Sequence, residues 1–278
     1  MVAPAFLHAL IWIGIPVVAA FVLSFTSYDV LSSPQFIGVE NYFEAFKDPV
    51  FLRSMLNTLV YAIFTVPVSM AIALLIALML DTQIRGRALF RTAVFLPQIT
   101  ATIAVALVWL WIYDTRNGLL NAVLTFFGLP PQSWLDTTTW AMPSVIVVGI
   151  WQGIGLKMLI YLAALQALPR DVYEAASVDG ATKTRQFFSI TIPLLRPATF
   201  FVFVTSVISA VQAFDLIYIL TSGGPANSTT MMTYEIYTSA FKEFRLGYAC
   251  AQSIVLFAFL LVLTLVTRRL NGGDNGRD

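Results

Sequence analysis

The stretch "LNTLVYAIFTVPVSMAIALLIALML" (residues 56–80) contains no Asp, Glu, Lys or Arg. A helix of this length can cross about 30 Å of hydrocarbon, the thickness of a bilayer core. The whole chain has the same character, since 58% of its 278 residues are hydrophobic and 11% are charged, against about 25% charged in an ordinary soluble domain. The composition therefore predicts a membrane protein that contacts lipid. We expect no nucleic acid among its partners.

Five further stretches resemble the first, each rich in Leu, Ile, Val, Ala and Phe. Prolines in or near them do not argue against helices, because neighbouring groups in a membrane bundle can satisfy the freed carbonyls. We predict an all-α fold, a polytopic bundle of about six transmembrane helices. The predicted spans cover residues 5–27, 56–80, 93–113, 142–166, 198–220 and 247–267.

Basic residues predict the orientation, because Lys and Arg near spans are retained on the cytoplasmic side. The connections after spans two, four and six carry ten of them, and those after spans one, three and five carry five. We therefore expect both termini in the cytoplasm of a prokaryote, with the chain in its plasma membrane. The ten are Arg85, Arg87, Arg91, Arg170, Lys183, Arg185, Arg196, Arg268, Arg269 and Arg277; the five are Lys47, Arg53, Arg116, Lys242 and Arg245.

The first span has two other interpretations. It could be a secretory signal peptide, but it is longer than a typical apolar signal region and no clear cleavage site precedes Tyr28. It also lacks a basic flank, which leaves the position of the true start codon open. The single cysteine, Cys250, excludes an internal disulfide and a cysteine metal cluster, and we predict neither a catalytic residue nor a metal site.

The most polar connection covers residues 170–197. Asp171 and Glu174 have the spacing of a capping box, which predicts a short helix that begins near Val172 and ends at Gly180. A second helical segment is predicted from Thr182 to Ile190. Two such helices would form a knob that suits docking into another protein, although an amphipathic connection lying on lipid headgroups is the alternative.

The spacing of this connection resembles the EAA loop of binding-protein-dependent ABC importers. Glu174-Ala175-Ala176 is followed by three residues, Gly180, nine residues and Ile190-Thr191-Ile192-Pro193, with Ile192 where leucine is usual. Other stretches are similar to the carbohydrate branch of that family, the maltose-type and glycerol-3-phosphate-type permeases. They are "SFTSYD" (24–29), "FIGVENY" (36–42), "FLP" (95–97), "LIYLAALQALPRDVYEAASVDGA" (159–181) and "FDLIYILTSGGPANSTT" (214–230).

The resemblance implies the permease fold of a type I ABC importer. It divides the chain into a first transmembrane helix with its extracytoplasmic connection (1–55), a permease core (56–270) that includes the coupling loop (170–197), and a cytoplasmic tail (271–278). The implied partners are a second homologous permease, two copies of an ABC ATPase and an extracytoplasmic solute-binding protein. A heterodimer of permeases is expected, and a homodimer stays open.

The resemblance also implies that the EAA loop seats in a cleft of the ATPase. Glu174 would supply a charged contact, Ala175 and Ala176 close packing, and Gly180 the turn. Ile190 and Pro193 complete the motif. A Walker A sequence, G-x-x-x-x-G-K-[ST], does not occur in the chain. We therefore expect no enzyme activity and no bound cofactor in this chain, with ATP and Mg used by the partner ATPase.

Polar residues within predicted spans are costly and are candidates for function. Helix-to-helix contact is the alternative, and Gly153 and Gly155 in particular would suit close helix packing. Lys157 and Asp215 could form a pair. The candidates for the substrate pathway are Trp151, Gln152, Gly153, Lys157, Gln212, Phe214 and Asp215.

The sequence predicts the permease of an ATP-driven sugar importer, with three alternatives. The first is a self-sufficient carrier in which Asp215 and Lys157 relay protons, and the second is an ABC permease for a solute other than a sugar. The third is a membrane receptor or scaffold. Lys157 would favour a phosphorylated or acidic ligand, whereas Asp215 and the amides would suit a neutral or amino sugar, so the solute stays open.

Overall fold

A computed structural model describes residues 3–82 and 85–271. Helices dominate this part of the chain, as the predicted all-α fold requires. Two short strands, β1 (Thr26–Ser27) and β2 (Gln35–Phe36), pair antiparallel between the first two spans. The predicted tail from residue 272 onward, which includes Arg277, lies outside the described residues.

Fifteen helices follow one another in the described chain, and π-helical turns extend three of them. These turns are Leu10–Gly14 after α1, Phe187–Thr191 after α10 and Thr238–Lys242 after α14. The helices are α1 (Ala3–Ala9), α2 (Ile15–Leu23), α3 (Glu40–Ala45), α4 (Pro49–Asp81), α5 (Arg87–Ile99), α6 (Thr102–Ile112), α7 (Leu119–Phe126), α8 (Ala141–Gln166), α9 (Arg170–Val178), α10 (Lys183–Gln186), α11 (Ile192–Leu194), α12 (Arg196–Val211), α13 (Phe214–Leu220), α14 (Met232–Tyr237) and α15 (Leu246–Asn271).

Contacts within the chain define two compact units. The first unit contains the residues up to Val60 and those from Val211 onward, and the second contains Tyr61–Ala210. The division therefore falls inside α4 and at the end of α12. It differs from the three regions that the family resemblance predicts, and those regions stay a prediction.

Three helical stretches are long and apolar enough to cross a membrane: Phe6–Leu23, Pro49–Asp81 and Ala141–Gln166. They coincide with the first, second and fourth predicted spans. The sixth predicted span lies in α15, which contains the apolar stretch Leu246–Val262. Counting each of two bent helix pairs as one further span gives up to five such spans in the described residues.

The predicted span over residues 93–113 is not one continuous helix. The chain instead forms α5 and α6, which are bent by 99°. Thr100 and Ala101 between them are extended, with ψ of 137° and 129°. The Thr100 hydroxyl donates to the Leu96 carbonyl at 2.9 Å and so satisfies a group that the helix end would leave free.

The predicted span over residues 198–220 is also not a single helix. Helix α12 ends at Val211, and α13 begins at Phe214 after Ala213, whose ψ of 75° is not helical. At this break the Phe214 amide donates to the Gln212 carbonyl at 2.8 Å. Helix α12 is also bent by 62° from the preceding helical segment, Lys183–Leu194.

Close backbone contact holds α5 against α8 in the second unit. A Cβ at Gly155 would lie 2.7 Å from the Val94 carbonyl oxygen and 2.8 Å from the Phe95 Cα. A Cβ at Gly149 would overlap the Tyr61 hydroxyl. Small residues at such positions let helices approach closely in a membrane, where van der Waals packing drives association.

One face of α4 is polar and buried, although the helix is apolar overall. The positions recur every three or four residues, so they lie along one side of the helix. Four of them, Ser54, Asn57, Thr58 and Ser69, donate hydrogen bonds to carbonyls of the same helix or of other segments. The buried polar residues on this face are Ser54, Asn57, Thr58, Thr65 and Ser69.

The N-terminal part of this face contacts the segment between α13 and α14 (residues 221–231), which is rich in Gly, Pro and Asn. The Asn57 side-chain amide donates to the carbonyls of Asn227 and Thr230, each at 2.9 Å. The Thr58 hydroxyl accepts the Met232 amide at 3.0 Å. A segment without secondary structure is therefore fixed to a spanning helix inside the first unit.

Helix α14 buries a carboxyl group beside other acids. Glu235 is 6% exposed, and Asp48, which accepts a 2.8 Å hydrogen bond from the Tyr248 hydroxyl, lies near it. Burial raises the pKa of Glu235 to about 7, and the negative charges of Asp48 and Glu243 add to the rise. The charged form of Glu235 is therefore disfavoured in the folded protein.

We predict that Gly155→Ala destabilises the protein and that Gly153→Ala does not. The added methyl at 155 meets backbone that cannot step aside, which costs roughly 2 kcal/mol, whereas at 153 it meets only the mobile end of Lys157, at 2.8 Å. Both changes gain the same helix propensity. The unfolding midpoint should fall by about 5 °C for the first variant relative to the second, and equal midpoints would refute the packing role of Gly155.

We also predict that Glu235 makes stability depend on pH. Because its folded pKa is about 7 and its ordinary value is 4.5, the folded state binds more protons between those values, so stability falls as pH rises through this window and levels off above it. The loss is on the order of 3 kcal/mol. Glu235→Gln should remove most of the fall in unfolding midpoint between pH 5 and pH 8.

The exposed residue Glu40 in α3 supplies the control, since Glu40→Gln makes the same chemical change in the same unit. This variant should keep the pH dependence of the wild type. A Glu235→Gln protein that loses as much stability between pH 5 and pH 8 as the wild type would show that the buried carboxyl is not responsible.

Candidate functional site

The predicted coupling loop forms a helix, a turn and a second helix. Helix α9 begins at Arg170, with Pro169 at the capping position and no side-chain cap. The predicted capping box is therefore wrong. Pro169 is extended, with ψ of 126°, as an N-cap residue usually is, and the helix begins before Asp171 can cap it. Asp171 lies in the first turn instead, where a negative charge favours the helix dipole.

The turn after α9 agrees with the prediction that Gly180 ends the helix. Gly180 has φ of +76°, a conformation that residues with a Cβ rarely adopt. Its amide donates to the Ser177 carbonyl at 3.1 Å, and the Ala181 amide donates to the Ala176 carbonyl at 2.9 Å. These two bonds form a Schellman motif, which satisfies carbonyls at the helix end.

The second helical segment begins as predicted but runs further. The Thr182 hydroxyl caps it by accepting the Arg185 amide at 3.3 Å, and α10, a π-helical turn and α11 continue to Leu194 rather than ending at Ile190. Pro193 lies at the start of α11, where a missing amide costs little.

Side-chain bonds tie the two helices of the loop together. The hydroxyls of Tyr173 and Thr191 lie 2.9 Å apart, and the Gln186 amide donates to the Ser177 hydroxyl at 2.9 Å. Glu174 and Ala175 are exposed, Ala176 is half-buried, and Ile190 and Pro193 are partly exposed. The described chain thus presents the motif on an outer surface of a locally rigid element.

Apolar side chains in the helices of this loop are exposed. Val178 is 88% exposed and Phe188 is 66% exposed. A carboxylate flanked by small residues and exposed apolar groups can bind a partner with a basic group and an apolar pocket. The geometry is compatible with the predicted docking role, which stays a prediction.

Four substrate-pathway candidates lie on α8 within the second unit. Trp151 is 42% exposed, and its ring packs edge to face with Trp109 at 5.6 Å between centroids. The Gln152 amide donates to the Thr102 hydroxyl at 3.2 Å. Lys157 and Gly153 lie one helical turn apart, and the Lys157 ammonium donates to the Ser69 hydroxyl at 2.7 Å.

The other three candidates lie in the first unit, around the break between α12 and α13. Gln212 and Asp215 are exposed, and Phe214 is partly buried. Because Asp215 and Lys157 belong to different units, their proposed pairing stays a prediction. The partner that the structure does give Lys157 is Ser69, a residue that the sequence pattern did not single out.

The sequence analysis also did not predict the aromatic cluster that surrounds Phe214. The Phe214 ring lies 5.4 Å from Tyr218, 5.1 Å from Tyr237 and 6.2 Å from Tyr234. The Lys242 ammonium donates to the Tyr234 hydroxyl at 2.9 Å. The spacing of Phe214 and Tyr218, four residues apart on α13, was a sequence signal for part of this cluster.

Comparisons with known proteins agree on one family. Residues 42–272 match the model described as "Binding-protein-dependent transport system inner membrane component". The chain is 34% identical to the trehalose/maltose transport system permease protein MalF of Thermococcus litoralis, over 100% of this chain and 94% of the relative. It is 33% identical to the sn-glycerol-3-phosphate transport system permease protein UgpA of Agrobacterium fabrum, over 95% and 90%.

A solved structure has the same fold. It is a bacterial ABC transporter involved in the import of the acidic polysaccharide alginate, with a TM-score of 0.85 and 25% identity over 99% of this chain and 94% of that chain. The predicted permease fold of a type I ABC importer is thereby confirmed. The chain belongs to the family of inner membrane components of binding-protein-dependent transport systems.

Proposed function

We propose that the chain is the transmembrane permease subunit of an ATP-driven ABC importer for sugars or sugar-like solutes and forms half of the translocation pathway. The observation that carries this proposal is the exposed, internally bonded EAA loop in a chain of this family. The two relatives are named as permeases of transport systems for trehalose/maltose and for sn-glycerol-3-phosphate. The solved structure is of a transporter involved in the import of alginate. These names support a saccharide-type solute.

The loop would couple ATP hydrolysis by a partner to movement of the permease. Glu174 would pair with a basic group in a cleft of the ATPase, and Ala175 and Ala176 would let the backbones approach closely. The Schellman turn at Gly180 and the bond between Tyr173 and Thr191 make the loop stiff enough to transmit a push. Nucleotide-driven closure of the ATPase dimer would then become a rigid-body motion of the bundle.

The working complex would contain two permeases, two copies of the ATPase and an extracytoplasmic solute-binding protein. ATP and Mg would be bound by the ATPase, since this sequence has no Walker A motif. The second permease would be a homologue. The excess of basic residues after the second, fourth and sixth spans supports both termini on the cytoplasmic side, with the EAA loop facing the ATPase.

The test is a charge inversion at Glu174 in the complete complex reconstituted in lipid. Glu174→Lys should lower the ATPase activity that the loaded binding protein stimulates by at least about tenfold, because it places like charges against the basic partner. Asp179→Lys is the matched control, since Asp179 is an exposed acid at the end of the same helix. The control should retain at least about half of the activity.

Equal activity of the Glu174→Lys and wild-type complexes would refute coupling through this loop. The proton-coupled carrier is tested in the same vesicles, because collapse of the proton gradient at constant ATP should leave uptake unchanged. Loss of uptake under that condition would favour the carrier.

A further inference from the structure

Lys157 carries a positive charge within the apolar span of α8, and its surroundings within the second unit leave that charge without a counter-ion. Its ammonium donates to the Ser69 hydroxyl at 2.7 Å. Among the described residues of the second unit, 61–82 and 85–210, no carboxylate forms an ion pair with it. The group that contacts the ammonium is therefore neutral.

Ser69 is arranged to accept from the ammonium but cannot balance its charge. The Ser69 hydroxyl donates its own proton to the Thr65 carbonyl at 2.6 Å, which turns its lone pairs toward Lys157. An ammonium has three N–H donors, and this contact uses one. A charged group in a membrane span usually pairs with another charge or faces a water-filled path, because an isolated ion in hydrocarbon is costly.

Gly153 leaves room beside the ammonium, one helical turn before Lys157. A Cβ at this position would lie 2.8 Å from the Lys157 nitrogen, and nothing else lies within 4 Å of it. This differs from Gly155, where backbone of α5 fills the space. The small residue at 153 therefore does not close a helix contact in the second unit, and the space beside it is occupied only by the Lys157 ammonium.

We propose that Lys157 is a specificity-determining residue that pairs with the negative group of an acidic saccharide, a uronate or a sugar phosphate, as the solute passes through the permease. This inference rests on the proposed function and narrows its solute class. A carboxylate or phosphate oxygen would accept the donors that Ser69 leaves free. Each such bond also gains the attraction between opposite charges, which the hydroxyl of a neutral sugar does not supply.

The experiment measures binding to the complete complex in nanodiscs with matched pairs of probes at constant ionic strength. The pairs are digalacturonate with galactobiose, and glucose 6-phosphate with glucose. At least one acidic probe should bind the wild type with an apparent Kd at least about tenfold below that of its neutral partner. Lys157→Met should bring that ratio close to one, and Lys157→Arg should restore most of it.

The affinity ratio separates recognition from stability. A structural lysine, or one that pairs with a carboxylate of the partner permease, would change the unfolding midpoint of the Lys157→Met complex without changing the ratio, and that result would overturn the proposal. A wild-type complex that prefers neither acidic probe would also overturn it. The proposed function would still stand if a loaded binding protein stimulates ATP hydrolysis by that same complex.

Discussion

The architecture depends on one constraint, that polar groups within apolar helices must find partners inside the protein. Helix α4 meets this constraint at Asn57 and Ser69, two residues of its polar face. The Asn57 side-chain amide donates hydrogen bonds to two carbonyls of the segment between α13 and α14. The Ser69 hydroxyl accepts a hydrogen bond from the Lys157 ammonium. The same face of α4 thus binds an irregular segment in the first unit and forms a hydrogen bond to the Lys157 ammonium in the second unit.

The breaks in the helices follow from the same constraint. Where α5 ends, the Thr100 hydroxyl donates a hydrogen bond to the Leu96 carbonyl. Where α13 begins, the Phe214 amide donates a hydrogen bond to the Gln212 carbonyl. Hydropathy averages cannot detect such breaks, because an extended pair of residues in an apolar run leaves the average unchanged. The sequence therefore predicted the presence and type of these helices but not their interruptions.

The coupling loop was more predictable because its structure is local. The Gly180 turn and the start of the second helix at Thr182 depend on residues a few positions away, and the sequence predicted both positions. The error at Asp171 was also local, since proline at 169 starts the helix earlier than the capping pattern requires. Glu235 illustrates the opposite case, because its burial beside Asp48 joins residues far apart in the sequence.

Lys157 shows why the solute could not be inferred from sequence alone. Its neighbour Ser69 is 88 positions away, so the sequence pattern left both Asp215 and an acidic ligand as candidates for its counter-ion. The structure adds a neutral neighbour within the second unit. A neutral hydroxyl lowers the cost of burying the ammonium yet leaves its charge uncompensated there, and the space beside Gly153 is occupied only by that ammonium. A site of this kind stabilises a passing carboxylate or phosphate without binding it permanently, as transport requires.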